Sequence, residues 1–121
     1  MFQGNAPGVE LHYSMFQASV NVMGNQAQRL YWLDQIERHK ILGCYAQTEL
    51  GHGSDFSKLE TTATLDKSTD EFIIHSPTIT STKMWPGDLG RYSSHALVFA
   101  RLKIDGNDYS VHPFMVQLRD L

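Results

Sequence analysis

The hydrophobic period of this chain changes at about residue 41, and that change excludes most folds. Before it, Leu11, Met15, Ala18 and Val22 recur at i, i+4, i+7 and i+11 between about Val9 and Met23, the spacing of a helix with a broad apolar face. Gly24 interrupts the pattern as a helix-ending glycine does. Asn25 is placed to cap a second helix, with Gln28 in the reciprocal capping-box position. Leu30, Trp32, Leu33 and Ile36 give that helix apolar faces, and Arg38-His39-Lys40 suit its C-terminal dipole. After residue 41 the period is two. Thr62 and Thr64, Phe72 and Ile74, and Ala96, Val98 and Ala100 alternate with their neighbours. The segment Asp66 to Asp70 and the run Asp105-Gly106-Asn107-Asp108 read as hairpin turns, and Ser76 to Thr82 is rich in β-branched residues. The expected fold is α+β: two N-terminal helices, then an antiparallel β-barrel or sandwich of about six strands. Helices followed by strands are not the βαβ alternation of a dinucleotide-binding domain, and no Gly-x-Gly-x-x-Gly opens a helix.

A length of 121 residues provides one domain's core. A net charge of −3 with scattered Lys and Arg leaves no basic footprint for nucleic acid. No apolar run reaches the ~18 residues of a membrane-spanning helix, and no secretory signal is visible. The single cysteine, Cys44, cannot form an internal disulfide and sits in an apolar stretch, where a small buried hydrophobe is expected. The six histidines lack the spacing of a zinc site, so no metal is expected, and no Gly-x-Ser-x-Gly elbow is present. The terminal Gln117-Leu118-Arg119-Asp120-Leu121 is not a Ser-Lys-Leu address.

Chemistry concentrates in Gly43-Cys44-Tyr45-Ala46-Gln47-Thr48-Glu49-Leu50-Gly51-His52-Gly53-Ser54. Its Gly-x-Gly-Ser turn can present backbone N–H groups and hydroxyls to a ligand, though it lacks the Lys of a phosphate loop. Taken with Leu59-Glu60-Thr61-Thr62-Ala63-Thr64 and Lys83-Met84-Trp85-Pro86-Gly87, the segment resembles the peroxisomal acyl-CoA oxidases, flavoenzymes related to the acyl-CoA dehydrogenases. The resemblance covers nearly the whole chain. It departs from the oxidase pattern Trp-Trp-Pro-Gly-Gly at Met84 and Asp88.

The resemblance implies a role for each matching residue. Thr48, with Gln47, would hydrogen-bond the isoalloxazine of FAD, where fixed donors stabilise charge that develops on reduction. The competing reading of Thr48 is a strand-end hydroxyl capping a turn. Gly87 would be the second flavin contact, its missing side chain leaving room for oxygen. Trp85 would flank the flavin or, equally, fill the barrel core. Ser54 and Gly53 would meet the fatty acyl-CoA substrate, against the alternative of a plain turn. No catalytic residue is expected here. Glu49 and Glu60 match no family base and read as structural or surface charges, and the base is expected C-terminal to residue 121. Residues 1–40 would close an N-terminal helical domain, with 41–121 forming the middle β-domain of a larger protein.

That larger protein would desaturate fatty acyl-CoA to trans-2-enoyl-CoA, pass the electrons to O2 to give H2O2, act in peroxisomal β-oxidation and form a homodimer. The 121 residues alone would be inactive. The rivals are an acyl-CoA dehydrogenase, which Trp85-Pro86-Gly87 in place of Trp-Ile-Thr disfavours, and a non-catalytic binding or assembly module.

Overall fold

A computed structural model describes residues 9–87 and 89–120, so Asp88 lies outside the described residues. α1 (Val9–Leu11) runs through a π-helical stretch, His12–Gln17, into α2 (Ala18–Met23). The first expected helix therefore contains wide turns. Ser14 Oγ donates to the Glu10 carbonyl at 2.7 Å, a side-chain bond of the kind that competes with the backbone ladder. His12 and Phe16 are both buried, their rings stacked with centroids 5.7 Å apart. Gly24 ends α2 in an extended conformation, φ −70° and ψ 142°. Glycine is needed there for close approach, since a Cβ would lie 2.6 Å from the Val20 carbonyl oxygen.

α3 (Gln26–Glu37) begins at the expected capping box. Gln28 N–H donates to Asn25 Oδ1 and Asn25 N–H to Gln28 Oε1, both at 2.9 Å. The basic residues fall just past the helix, where Arg38 Nε pairs with Asp34 at 2.7 Å. Of the apolar residues expected on this helix only Ile36 is buried, and Leu30 is 72% exposed.

β1 (Gly43–Ala46), β2 (Thr62–Asp66), β3 (Glu71–His75), β4 (His95–Ile104) and β5 (Asn107–Gln117) form one sheet. Its order is β1-β4-β2-β3, with β5 also paired to β4. Both expected hairpins form. β2 and β3 are antiparallel, with Thr62 opposite His75 and Asp66 opposite Glu71. Asp66 Oδ1 accepts from Ser68 N–H and Oγ and so shapes the intervening turn. β4 turns into β5 through Asp105 (φ 52°) and Gly106 (φ 78°), the two left-handed residues of a type I′ turn.

Three expectations are corrected. Among the described residues the sheet is open, neither barrel nor sandwich, because β3 ends the strand order and ring closure needs the end strands to pair. Its five strands fall within the expected five to seven, but it is not wholly antiparallel: β2 runs parallel to β4, with Thr62 beside Arg101 and Thr64 beside Lys103. The β-branched segment from Ser76 to Thr82 forms no strand. There Ser81 N–H donates to Thr78 Oγ1, Thr78 N–H to Ser81 Oγ, and Ser81 Oγ to the Thr78 carbonyl, so hydroxyls take the bonds that a ladder would supply.

The chain forms two compact units. The first takes the described residues of Met1–Tyr45, Pro86–Leu97 and Met115–Leu121. It buries Phe16, Val20, Ile36, Ile41, Cys44, Ala96 and Leu97. Here Gly43 N–H donates to His12 Nδ1 at 3.0 Å. Burial, with nearby His39, pulls the His12 pKa down, and an accepting Nδ1 puts the neutral ring's proton on Nε2. The second unit, Ala46–Trp85 and Val98–Phe114, buries Ala46, Leu59, Ala63, Val98, Phe99 and Ala100. Phe56 meets Phe99 edge-on at 5.6 Å, and Phe72 meets Phe114 at 5.2 Å.

Gly43 is the tightest point of the first unit, because a Cβ there would overlap the Phe16 ring. Gly43→Ala is expected to lower stability by about 1–3 kcal/mol, the usual cost of overpacking, and Gly43→Ala with Phe16→Leu to recover part of that loss. Urea unfolding checks this, and an unchanged midpoint for the single variant would contradict it.

Candidate functional site

β1 stops at Ala46, and the chain continues through Gln47, Thr48 and Glu49 to a tight reversal at Leu50-Gly51. Glu49 and His52 exchange backbone N–H···O bonds of 3.1 Å across that reversal. Gly51 fits under Thr80, whose Cβ would stand 2.8 Å from an added side chain. On the other side the segment is matched by residues 80–84. Met84 N–H donates to the Thr48 carbonyl, Leu50 N–H to Thr82 and Gly51 N–H to Thr80, each at 2.9 Å.

A buried ion pair sits under this segment. Lys83 Nζ donates to Glu49 Oε1 at 3.1 Å, to the Gln47 carbonyl at 3.1 Å and to the Phe99 carbonyl at 2.7 Å. Its three protons therefore have three acceptors. Glu49 Oε2 accepts the Glu60 N–H at 2.7 Å and Oε1 the Thr61 N–H at 2.9 Å. Burial acts against the Glu49 carboxylate, but bonds from Glu60, Thr61 and Lys83 outweigh it and hold the pKa below the usual range. Burial draws the Lys83 ammonium below its usual range, opposed by Glu49.

Glu60, on the exposed side, accepts from the Thr80 and Thr78 hydroxyls and lies 3.4 Å from His52 Nε2. Glu49, His52 and Glu60 bring ligand atoms within 4.8 Å of one another. Their carboxylates are already engaged by backbone, hydroxyl and ammonium donors. The Glu49 carboxylate is thus fully engaged by its partners.

Thr48 is half-buried, and its carbonyl is taken by Met84. Among the described residues its N–H and Oγ1 have no hydrogen-bond partner, so it does not cap the turn. Trp85 follows the residue bonded to Thr48 and is 78% exposed, which excludes a core role. Its φ of 56° is strained for a bulky side chain. Gly53 and Ser54 are exposed on an open turn, and a Cβ on Gly53 would meet nothing within 4 Å. Asp55 Oδ1 then accepts from Ser57 N–H and starts a 3-10 turn, Phe56–Lys58.

Gly87 belongs to the first unit. Its φ is +74°, and an added Cβ would lie 2.6 Å from Leu11 Cδ1. Glycine is therefore required by backbone conformation and by Leu11, apart from any room for oxygen. The Lys83–Glu49 pair was not evident in the sequence, where its members are 34 residues apart and follow no spacing rule.

No family model matches the chain. Peroxisomal acyl-coenzyme A oxidase 1 of Arabidopsis thaliana is 54% identical over 113 residues, 93% of this chain and 17% of its own length. The crystal structure of an acyl-CoA oxidase from tomato (Lycopersicon esculentum) matches with a TM-score of 0.91 at 55% identity, again over 93% of this chain and 17% of that one. Over nearly its whole length the chain is similar to the peroxisomal acyl-CoA oxidases. Acyl-CoA oxidase-2 of Caenorhabditis elegans, solved with FAD, ascaroside-CoA and ATP, matches with a TM-score of 0.89 at 48% identity and the same coverage of each chain. This acyl-CoA oxidase family is one of oxidoreductases, and the chain spans 17% of the length of these relatives.

Two outcomes test this geometry. Trp85→Gly is expected to raise stability by about 1 kcal/mol, since glycine removes the left-handed strain and the exposed indole packs on little. A lower melting temperature would contradict this. Because the Glu49 pKa is depressed in the folded chain, its stabilisation is present above the unfolded value and lost as pH falls below about 4.5. Glu49→Gln should be less stable at pH 7 and show a shallower acid decline in pH-dependent urea unfolding; a slope equal to wild type would contradict the assignment.

Proposed function

We propose that this chain is a segment of an FAD-dependent acyl-CoA oxidase of fatty acid β-oxidation. It would supply part of the flavin and acyl-CoA site and be inactive alone. The observation that carries the reading is the free N–H and Oγ1 of half-buried Thr48, beside the strained Trp85. Both donors are left available for a ligand, and a flavin edge offers acceptors for both. The same Thr48 matches the flavin-contacting position of the family.

FAD, when bound, supplies the electron sink for oxidation of the acyl chain. The residues here bind and orient it. Thr48 donates from N–H and Oγ1, with Gln47 beside it. Trp85 presents an indole face, and Gly87 allows close backbone approach. Gly53 and Ser54 offer open backbone and hydroxyl donors to the fatty acyl-CoA. The carboxylate that removes the α-proton lies elsewhere in the full-length protein, because Glu49 is fully bonded and Glu60 is held by two threonines. Residues 1–40 are the closing helices of an N-terminal helical domain and 41–121 the middle β-domain. The full-length protein would be a homodimer that oxidises fatty acyl-CoA to trans-2-enoyl-CoA and passes the two electrons and two protons removed to O2, giving H2O2.

The test is to purify the full-length protein, look for a bound flavin spectrum and assay peroxide formation from a fatty acyl-CoA. Thr48→Ala is expected to weaken FAD binding about tenfold, with Thr48→Ser nearer to wild type, as loss of one hydrogen bond predicts. A colourless protein would support the binding-module alternative. A flavoprotein that makes no peroxide but reduces an electron-acceptor protein would support the dehydrogenase reading.

A further inference from the structure

The buried pair beneath the Gln47–Glu49 segment has a consequence for the donor at Thr48. The Gln47 carbonyl and the Thr48 N–H belong to one peptide plane, and none of the described peptide bonds is cis. In a trans peptide these two groups point in opposite directions. Lys83 Nζ takes the Gln47 carbonyl at 3.1 Å from the buried side and ties it to the Phe99 carbonyl at 2.7 Å. The Thr48 N–H is thereby turned away from the ammonium. Rotation of the following peptide is restricted by Met84 N–H on the Thr48 carbonyl, at 2.9 Å, and by the Glu49 N–H on His52.

Lys83 is itself held in place. Glu49 Oε1 accepts from it, and the same carboxylate is fixed by the Glu60 and Thr61 N–H groups where β2 begins. The arrangement passes rigidity from β2 and β4 to a peptide that lies in no strand. We propose that Lys83, oriented by Glu49, is a positioning residue that fixes the Gln47–Thr48 peptide so that the Thr48 N–H is presented to the flavin. This rests on the flavin reading of Thr48, and it assigns the lysine a role that neither its charge nor its exposure advertises.

The experiment uses the full-length protein loaded with FAD. Lys83→Met is compared with wild type for FAD dissociation constant, visible flavin spectrum and melting temperature, and Lys83→Arg is included as the conservative variant. The expected result for Lys83→Met is an affinity about tenfold weaker with a shifted visible band, partly recovered in Lys83→Arg. A folded Lys83→Met with unchanged affinity and spectrum would overturn the positioning role while leaving the flavin reading intact. Wild type that takes up no FAD removes the flavin reading and this proposal with it.

If Lys83→Met does not fold, wild type alone decides. Gln47-Thr48 is the single Gln-Thr step in these 121 residues, so 13C-glutamine with 15N-threonine labelling isolates its amide within the segment. That amide should exchange freely with solvent in apoprotein and become protected on adding FAD. An amide already protected in apoprotein, or unmoved by FAD, would overturn the proposal.

Discussion

A lysine ammonium and a glutamate carboxylate withdrawn from water hold the second unit's non-strand segments in register, and much else there follows from that pair. Glu49 has no exposed side chain and Lys83 very little. Withdrawing both charges from water is costly, and it is sustained only where the remaining protons and lone pairs are also satisfied. Here they are. The Gln47 and Phe99 carbonyls and the Glu60 and Thr61 amides complete the arrangement, so one pair joins the end of β1, the start of β2, the middle of β4 and the stretch before Trp85.

The acidic residues of this region differ because of what each faces. Glu49 is enclosed and wholly committed to its partners. Glu60 stands at the surface, where Thr78, Thr80 and His52 share its carboxylate, and its pKa is lowered chiefly by the Thr80 hydroxyl. Neither is placed as a free base. What remains uncommitted among the described residues of this segment is a pair of neutral donors on Thr48.

Backbone conformation marks the same neighbourhood. Trp85 adopts φ 56° with its indole largely in solvent, a combination that folding alone gives little reason to keep. Two residues later Gly87 has φ +74°. The two positions carry different weight. At Gly87 the conformation and the nearness of Leu11 already require glycine, so its presence says little about oxygen access. At Trp85 a smaller residue would be easier to accommodate, and packing among the described residues does not account for the strain.

Local signals were legible in the sequence wherever a short segment supplies its own physics. The Asn25–Gln28 capping box, the end of α2 at Gly24, and the Asp66–Asp70 and Asp105-Gly106 turns depend on neighbours a few residues apart. The motif from Gly43 to Ser54, with Trp85 and Gly87, likewise carried the resemblance to the acyl-CoA oxidases. Alternation of period could not tell a closed barrel from an open sheet, because closure depends on which strands meet. Nor could β-propensity foresee that Thr78 and Ser81 would bond each other instead of a strand. The sequence by itself determined the helices-then-strands order, the turns and the resemblance to the acyl-CoA oxidases, since each is written in local pattern. Only the tertiary structure decided the parallel β2–β4 pairing, the burial of Glu49 with Lys83 across 34 positions, and which donors of Thr48 were left free. Those features arise from contacts between distant segments, which no spacing rule encodes.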